Sequence, residues 1–161
     1  MRITARKRFL CVVLSAAALA ATASAAADES PAYRPVAKLA SFLSDGEAVG
    51  ALESFDKNMK GYGAIAENIA ALAAQTEVLC SIDLVADKDA DNAGADVHHL
   101  DLDWYLTLKS KADNARIEKR RMRVAVTVQL FPSKSRSGAA RGVWRITSLS
   151  PDQILAPLTV K

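Results

Sequence analysis

The sequence predicts an α+β fold in which three helices precede a four-stranded antiparallel sheet. The spacing of apolar residues changes from the helical period of 3.6 to the strand period of 2 at Glu77. All helical segments come before this point, and the strands that follow are joined by short polar turns, which favours an antiparallel meander over alternating helix and strand units. The 161 residues are enough for one domain of ordinary size.

Three segments carry apolar side chains at steps of three and four residues, and they are predicted to be helices: 36–43, 48–59 and 64–76. Ser44 and Glu47 have the spacing of a capping box at the start of the second helix. The Gly61–Tyr62–Gly63 segment separates the second helix from the third. We therefore expect the second helix to extend as far as Met59.

Four segments alternate apolar and polar residues and are predicted to be strands: 78–84, 97–109, 117–131 and 142–149. Symmetric pairing of the second and third strands about their turn would place Asp103 opposite Arg121 and Asp101 opposite Arg123. Cross-strand pairs of opposite charge contribute roughly 0.2–1 kcal/mol each. The same register would put Leu102 beside Met122 on the apolar face.

The first 27 residues have the pattern of a secretory signal peptide. A basic start leads into an apolar run from Phe9 to Ala21, and small residues follow that fit more than one A-x-A cleavage site. The run is shorter than the roughly 20 residues that a membrane-spanning helix needs. We therefore expect a periplasmic or secreted protein with a flexible lead-in at 28–35, one domain at 36–161 including a C-terminal tail at 150–161, and no membrane span after signal removal.

The overall charge of +3 belongs to the precursor. Four of the 21 basic residues lie in the signal segment, which leaves 17 against 18 acidic residues in the remainder. We therefore expect no nucleic-acid partner. The remainder keeps one cysteine, Cys80, which cannot form an internal disulfide and is expected to be a buried packing residue.

Neither of two acidic patterns has the composition of a metal site. Asp87, Asp89 and Asp91 resemble the start of a calcium loop, but the glycine and the glutamate that complete such a loop are missing. His99, Asp101 and Asp103 follow one face of a single strand at steps of about 7 Å, too far apart for one ion. We expect no metal and no cofactor.

Three stretches resemble the nuclear transport factor 2-like superfamily, which includes ketosteroid isomerase-like and polyketide cyclase-like domains: 100–106 (LDLDWYL), the basic run 116–123 and 143–146 (VWRI). The resemblance implies a cone-shaped, cystatin-like architecture with a curved sheet and a cavity between the helices and the concave face. Members bind or isomerise small apolar molecules there, bind proteins, or dimerise. The segment from Asp56 to Gly63 leaves no room for the strand or hairpin that many members insert, so the cavity is expected to be shallow.

The strand pattern places Glu118 and Arg120 on the inward side, where a charged pair is costly unless it is paired or hydrated. One interpretation is a polar anchor with Arg120 stacked on Trp104; the other is a solvated strand end. The hypothetical ligand pocket is lined by Cys80, Leu102, Trp104, Glu118, Arg120, Met122 and Trp144.

The acids and the tyrosine that an isomerase would need are present, but Asp101, Asp103 and Tyr105 fall on the outward side of their strand. We assign no catalytic residue. The expected function is a non-catalytic module that binds a small apolar or amphipathic ligand. The alternatives are a protein-interaction or homodimerisation domain using the outer sheet face, and a small isomerase or cyclase-like enzyme.

Overall fold

The computed structural model describes residues 30–92, 94–113, 116–134 and 140–158. Its elements follow in the order α1 (Arg34–Asp45), α2 (Ala48–Leu52), α3 (Tyr62–Gln75), β1 (Thr76–Asp87), β2 (Val97–Ser110), β3 (Ile117–Lys134), β4 (Ala140–Ser150) and a 3₁₀ helix (Asp152–Leu155). The four strands form one antiparallel sheet in chain order. The predicted α+β class and the antiparallel meander are confirmed. The predicted signal peptide lies outside the described residues.

Helix α1 begins two residues earlier than the pattern predicts. Pro35 lies in its first turn, where the missing N–H costs nothing, and Gly46 ends it in the left-handed conformation at φ 72°. Ahead of it, Ala32 and Tyr33 are buried, and the Tyr33 hydroxyl donates to the Ile82 carbonyl. Ala32 and Tyr33 of the predicted lead-in are therefore packed into the core.

The second helix is shorter than predicted because the chain pairs with the sheet instead. Helix α2 ends at Leu52, and Phe55 forms a parallel bridge with Ile146 of β4. The Ile146 N–H donates to the Ser54 carbonyl and the Asp56 N–H donates to the Ile146 carbonyl, both at 2.8 Å. These bonds satisfy the outer edge of β4 at this point, so the helical spacing of Phe55 and Met59 is overridden by tertiary pairing.

The edge of β1 is covered by side chains of and near α1. The predicted capping box at Ser44 is wrong: its hydroxyl donates to the Ala40 carbonyl at 3.0 Å and accepts the Cys80 N–H at 3.1 Å. Together with the Tyr33 bond to Ile82, this contact satisfies two of the backbone groups that β1 turns away from β2. Unpaired edge strands promote edge-to-edge aggregation, and these contacts occupy part of each edge of the sheet.

The sheet has the predicted faces but not the predicted register. Asp103 lies opposite Arg123 rather than Arg121, and Leu102 lies opposite Val124 rather than Met122. The turn is centred on Asp113 and not on Ala112, because Lys109 pairs with Ile117 and the Ser110 N–H donates to the Arg116 carbonyl at 3.0 Å, with five residues between them. A shift of two residues preserves every face, since the side-chain period is two.

The core lies between the helices and the inward face of the sheet. Strand β2 supplies its centre, with alternate residues that expose 1% or less of their surface: Leu100, Leu102, Trp104, Leu106 and Leu108. The helices contribute Val36, Leu39, Ile65, Ile69 and Leu72. Within the described ranges, we find no helix that is both long enough and apolar enough to cross a membrane.

Candidate functional site

The structure brings Cys80 and Trp104 of the predicted pocket into contact. Trp104 is fully buried, and its indole N–H donates to the Cys80 sulfur at 3.2 Å. Burial raises the pKa of the Cys80 thiol to about 12, and the indole hydrogen bond opposes this shift without reversing it. The thiol is therefore protonated and unreactive at neutral pH.

Three other members of the predicted pocket, Leu102, Met122 and Trp144, lie on β2, β3 and β4 respectively. Leu102 is fully buried, and Met122 lies directly opposite Trp104 and is half-buried. Trp144 is half-buried near the start of β4. The predicted pocket as a whole stays a prediction; Trp144 lines the cleft that is described below.

Arg120 and Glu118 form an ion pair that holds the C-terminal tail. The Arg120 Nε lies 2.6 Å from the Glu118 carboxylate, and the arginine side chain is only 13% exposed. The guanidinium donates to the carbonyls of Ile154 at 3.1 Å, of Ala156, and of Pro157 at 3.5 Å. The guanidinium therefore bonds the tail carbonyls, an arrangement that differs from both interpretations of the sequence, stacking on Trp104 and a solvated strand end.

A cleft of about 250 Å³ lies where α1, the end of α2 and β4 meet. Its lining residues are Arg34, Pro35, Lys38, Glu53, Ser54, Gly142, Val143 and Trp144. The bridge between Phe55 and Ile146 positions one wall, because it places the preceding residues Glu53 and Ser54 beside β4. The cleft thus forms where the residues that follow α2 pair with β4.

Trp144 is held from behind by a buried histidine. The rings of Trp144 and His98 meet edge to face, with centroids 5.3 Å apart and planes at 76°. The Nδ1 atom of His98 lies 2.7 Å from the Asp87 carboxylate, and both side chains are about nine-tenths buried. This stack fixes the indole that forms a wall of the cleft.

The charges at the cleft do not cancel. The Lys38 ammonium lies 3.4 Å from the Glu53 carboxylate, but Arg34 makes no ion pair with any described residue. At the base of the cleft Ser54 is 2% exposed, and within the described structure its buried hydroxyl oxygen has no hydrogen-bond partner. Buried polar groups are nearly always satisfied, so an unpartnered hydroxyl beside an unpaired arginine marks a place for a polar ligand group.

A larger cleft of about 510 Å³ lies at the far end of α3, but its polar groups already have partners. The Gln75 side-chain oxygen accepts the Leu158 N–H at 3.1 Å, and the Lys111 ammonium donates to the Ala73 carbonyl at 2.7 Å. The Ser110 hydroxyl accepts the Asp113 N–H at 3.1 Å. These bonds hold the tail and the β2–β3 turn in place, so we assign this cleft a structural role.

The outer face of the sheet is divided by charge. Among the described side chains, β1 and β2 carry four carboxylates there together with Lys109, and β3 and β4 carry four cations. The carboxylates are Glu77, Asp83, Asp101 and Asp103, and the cations are Lys119, Arg121, Arg123 and Arg145. Across the divide, Arg121 donates to both Asp103 oxygens, at 3.2 and 2.6 Å, and this contact lowers the pKa of that carboxyl. The predicted contact between Asp103 and Arg121 is therefore made diagonally, whereas Asp101 pairs with Lys88 and not with Arg123.

The acidic loop after β1 is tied to the start of β2. The Asp89 carboxylate accepts the His99 N–H and lies 2.9 Å from its ring Nδ1, and these contacts lower the pKa of Asp89. Asp87 takes part in the buried pair with His98. No group of three metal-ligating side chains is found within the described ranges.

Sequence reasoning missed Arg34, Lys38, Ser54 and His98. Arg34 lies within the segment 28–35, which the sequence predicts to be a lead-in, and Lys38 follows that segment. Ser54 lies within the predicted second helix, which extends further than the observed one. His98 has the parity of the inward residues Leu100 and Leu102, so the strand pattern could have placed it in the core. Comparison with family models and with curated proteins finds no match for this chain.

Proposed function

We propose that this chain is an exported, non-catalytic module that binds a small amphipathic ligand in the cleft beside Trp144. The proposal includes the cone-shaped, cystatin-like fold of the nuclear transport factor 2-like superfamily, with three helices on a curved sheet. The leader pattern of residues 1–27 motivates the exported location, and the order of three helices and four antiparallel strands agrees with the family layout.

The observation that carries the proposal is the composition of the cleft. One cleft of about 250 Å³ brings together an aromatic wall, a cation and a buried hydroxyl, and neither of these two polar groups has a partner among the described residues. Ligand sites combine apolar walls with a few convergent polar groups in this way. Catalysis is left out because the inward Glu118 is engaged by Arg120 and the buried Asp87 by His98, whereas Asp101 and Asp103 lie on the outer face.

Native mass spectrometry of the protein recovered from the export compartment of its host tests the proposal. We expect a mature chain that begins near residue 28 and carries a small-molecule adduct. In a Val143→Glu variant the adduct should be lost, because Val143 is 44% exposed and lines the cleft. The matched control is Leu79→Glu, which makes the same change at a 69% exposed strand position on the outer face.

A wild-type chain without an adduct, or an adduct that survives Val143→Glu, would contradict binding in this cleft. An intact N-terminal leader in the recovered protein would contradict the exported location. The same spectrum reports the ligand adduct and the N-terminus of the chain as two mass differences, so ligand binding and export are tested independently.

A second candidate function is homodimerisation through the outer sheet face, which the division of charge favours. Lys88 and Lys109 pair with Asp101 and Glu77, and Asp103 is engaged by Arg121 and lies 3.9 Å from Arg123 of its own chain, so Asp83 is the acidic-half carboxylate without an ion pair among the described residues. A two-fold axis along the strands would stack β2 of one copy over β3 of the other and place each Asp103 near the partner's Arg123. The face is thus complementary to itself in charge, as an isologous interface requires.

Charge exchange tests this candidate by analytical ultracentrifugation. Asp103→Arg and Arg123→Glu should each yield monomers, and their equimolar mixture should restore a dimer, since each new charge then meets its opposite across the axis. A wild type that remains monomeric at high concentration, or a mixture that stays monomeric, would refute the interface.

A further inference from the structure

We infer that the cleft beside Trp144 recognises a small organic carboxylate, with Arg34 as the residue that selects for its charge. This inference rests on the proposed function, because it names the ligand class of the same site. It depends on the charges at the rim, the hydroxyl at the base and the size of the space between them.

Among the described residues, the rim carries one positive charge that has no ion-pair partner. Lys38 and Glu53 oppose each other at 3.4 Å, and the Lys38 ammonium also lies 5.3 Å from the centre of the Phe42 ring. Arg34 has no such partner among the described residues. An anion entering the cleft therefore meets a guanidinium whose five donors suit the planar, bidentate geometry of a carboxylate.

The base of the cleft offers a donor of the complementary kind. The Ser54 hydroxyl is buried and unpartnered, and a hydroxyl can donate to a carboxylate oxygen without a proton transfer. The backbone of Ser54 is fixed, because its carbonyl accepts the Ile146 N–H at 2.8 Å. A ligand oxygen reaching this hydroxyl would supply the hydrogen bond that the protein leaves open.

The walls and the volume limit the rest of the ligand. Trp144, Pro35 and Val143 present apolar surface, and Trp144 is braced by His98. A volume of about 250 Å³ lies below the roughly 300 Å³ at which clefts begin to hold drug-sized molecules. The space suits a carboxylate attached to one flat ring or a short apolar chain.

Benzoate and benzamide provide a matched pair of probes, because they share a ring and differ in charge. The two tryptophans give the readout in a titration followed by the indole N–H resonances in NMR. Trp144 lines the cleft, whereas Trp104 is fully buried and bonded to Cys80, so its resonance serves as an internal control. We expect benzoate to shift the Trp144 resonance with an affinity at least about threefold higher than that of benzamide.

Three variants separate the charge from the shape. Arg34→Gln should weaken benzoate at least about threefold and leave benzamide unchanged. Glu53→Gln should strengthen benzoate, because it frees Lys38 from its partner. Lys119→Gln, which removes one positive charge from the outer face, should change neither probe. Raising the salt from about 0.01 M to about 0.1 M shortens the screening length from roughly 30 to 10 Å and should weaken benzoate alone.

Equal affinity for the two probes, or an Arg34→Gln variant that binds benzoate like the wild type, would overturn the assignment of a carboxylate. If neither probe shifts Trp144, this assignment is also overturned. The proposed function survives each result if the native adduct is present and lost in Val143→Glu. Loss of that adduct from the wild-type spectrum, in contrast, removes the proposed function itself.

Discussion

Replacing Arg120 by methionine should destabilise the protein substantially by freeing its C-terminal tail. Methionine keeps an apolar stem and removes the guanidinium that bonds three tail carbonyls and Glu118. A hydrogen bond to a charged group contributes about 1.5–3 kcal/mol, and bonds from one guanidinium are not additive. Because Glu118 is 37% exposed and can be rehydrated, we expect a loss of about 2–3 kcal/mol in the free energy of unfolding.

Urea denaturation measures this loss, and hydrogen exchange locates it. At roughly 4 °C per kcal/mol for a domain of this size, the Tm should fall by about 10 °C. The amide of Leu158, which bonds the Gln75 side chain at 3.1 Å, should exchange faster because the tail that carries it is no longer held by Arg120. Amides at the centre of β2 should lose protection only as far as global stability falls.

Arg121 supplies the control one residue away. It is the same residue type on the opposite face, with a side chain that is 71% exposed and paired with Asp103. Exposed pairs contribute about 0–1 kcal/mol, so Arg121→Met should cost less than about 1 kcal/mol. A cost below about 0.5 kcal/mol for Arg120→Met, or equal costs for the two variants, would refute the role of Arg120 in holding the tail.

Three further outcomes are expected. Cys80 in the native protein should resist iodoacetamide at pH 8, because burial raises its pKa to about 12; rapid labelling, measured by mass spectrometry of its peptide, would contradict this. The pKa of Asp103 is lowered from its ordinary value of 3.8, so the stability it provides is complete above that value and is lost as the pH falls below it. The difference between the urea midpoints at pH 5 and pH 3 should therefore be smaller in Asp103→Asn than in the wild type. Equal differences in the two proteins would refute the contribution of Asp103 to the pH dependence. Gly50→Ala should destabilise by about 1–2 kcal/mol in urea denaturation despite a helix-propensity gain of about 1 kcal/mol, because the new methyl would lie 2.5 Å from the Phe42 ring; a more stable variant would show that the ring moves freely.

The face of each strand residue could be predicted from the sequence because it depends on local alternation alone. Leu102 and Trp104 are buried and Asp103 lies on the outer face, as the pattern indicates. The register could not be predicted in the same way. It depends on how many residues the turn after Ser110 occupies, and a shift of two residues leaves the alternation unchanged.

The second helix shows a different limit. Phe55 and Met59 continue the spacing of Ala48 and Leu52, so a periodicity argument extends the helix through them. The backbone of Phe55 instead pairs with Ile146, which lies some ninety residues later in the chain. The cleft beside Trp144 exists because of this long-range pairing, and no local pattern contains the information that would predict it.

The position of Arg120 depends both on local alternation, which the sequence shows, and on a long-range contact, which it does not. Alternation correctly indicates that Arg120 shares the inward side with Met122, and desolvation correctly indicates that an inward guanidinium needs partners. Whether those partners belong to a ligand or to the protein depends on the course of the last residues of the chain. The tail returns past the start of β3 and offers its carbonyls to Arg120, whereas Arg34, in the first turn of α1, meets no described carboxylate. The difference in partners, rather than the residue type or its face, makes Arg120 a structural residue and Arg34 the candidate for binding.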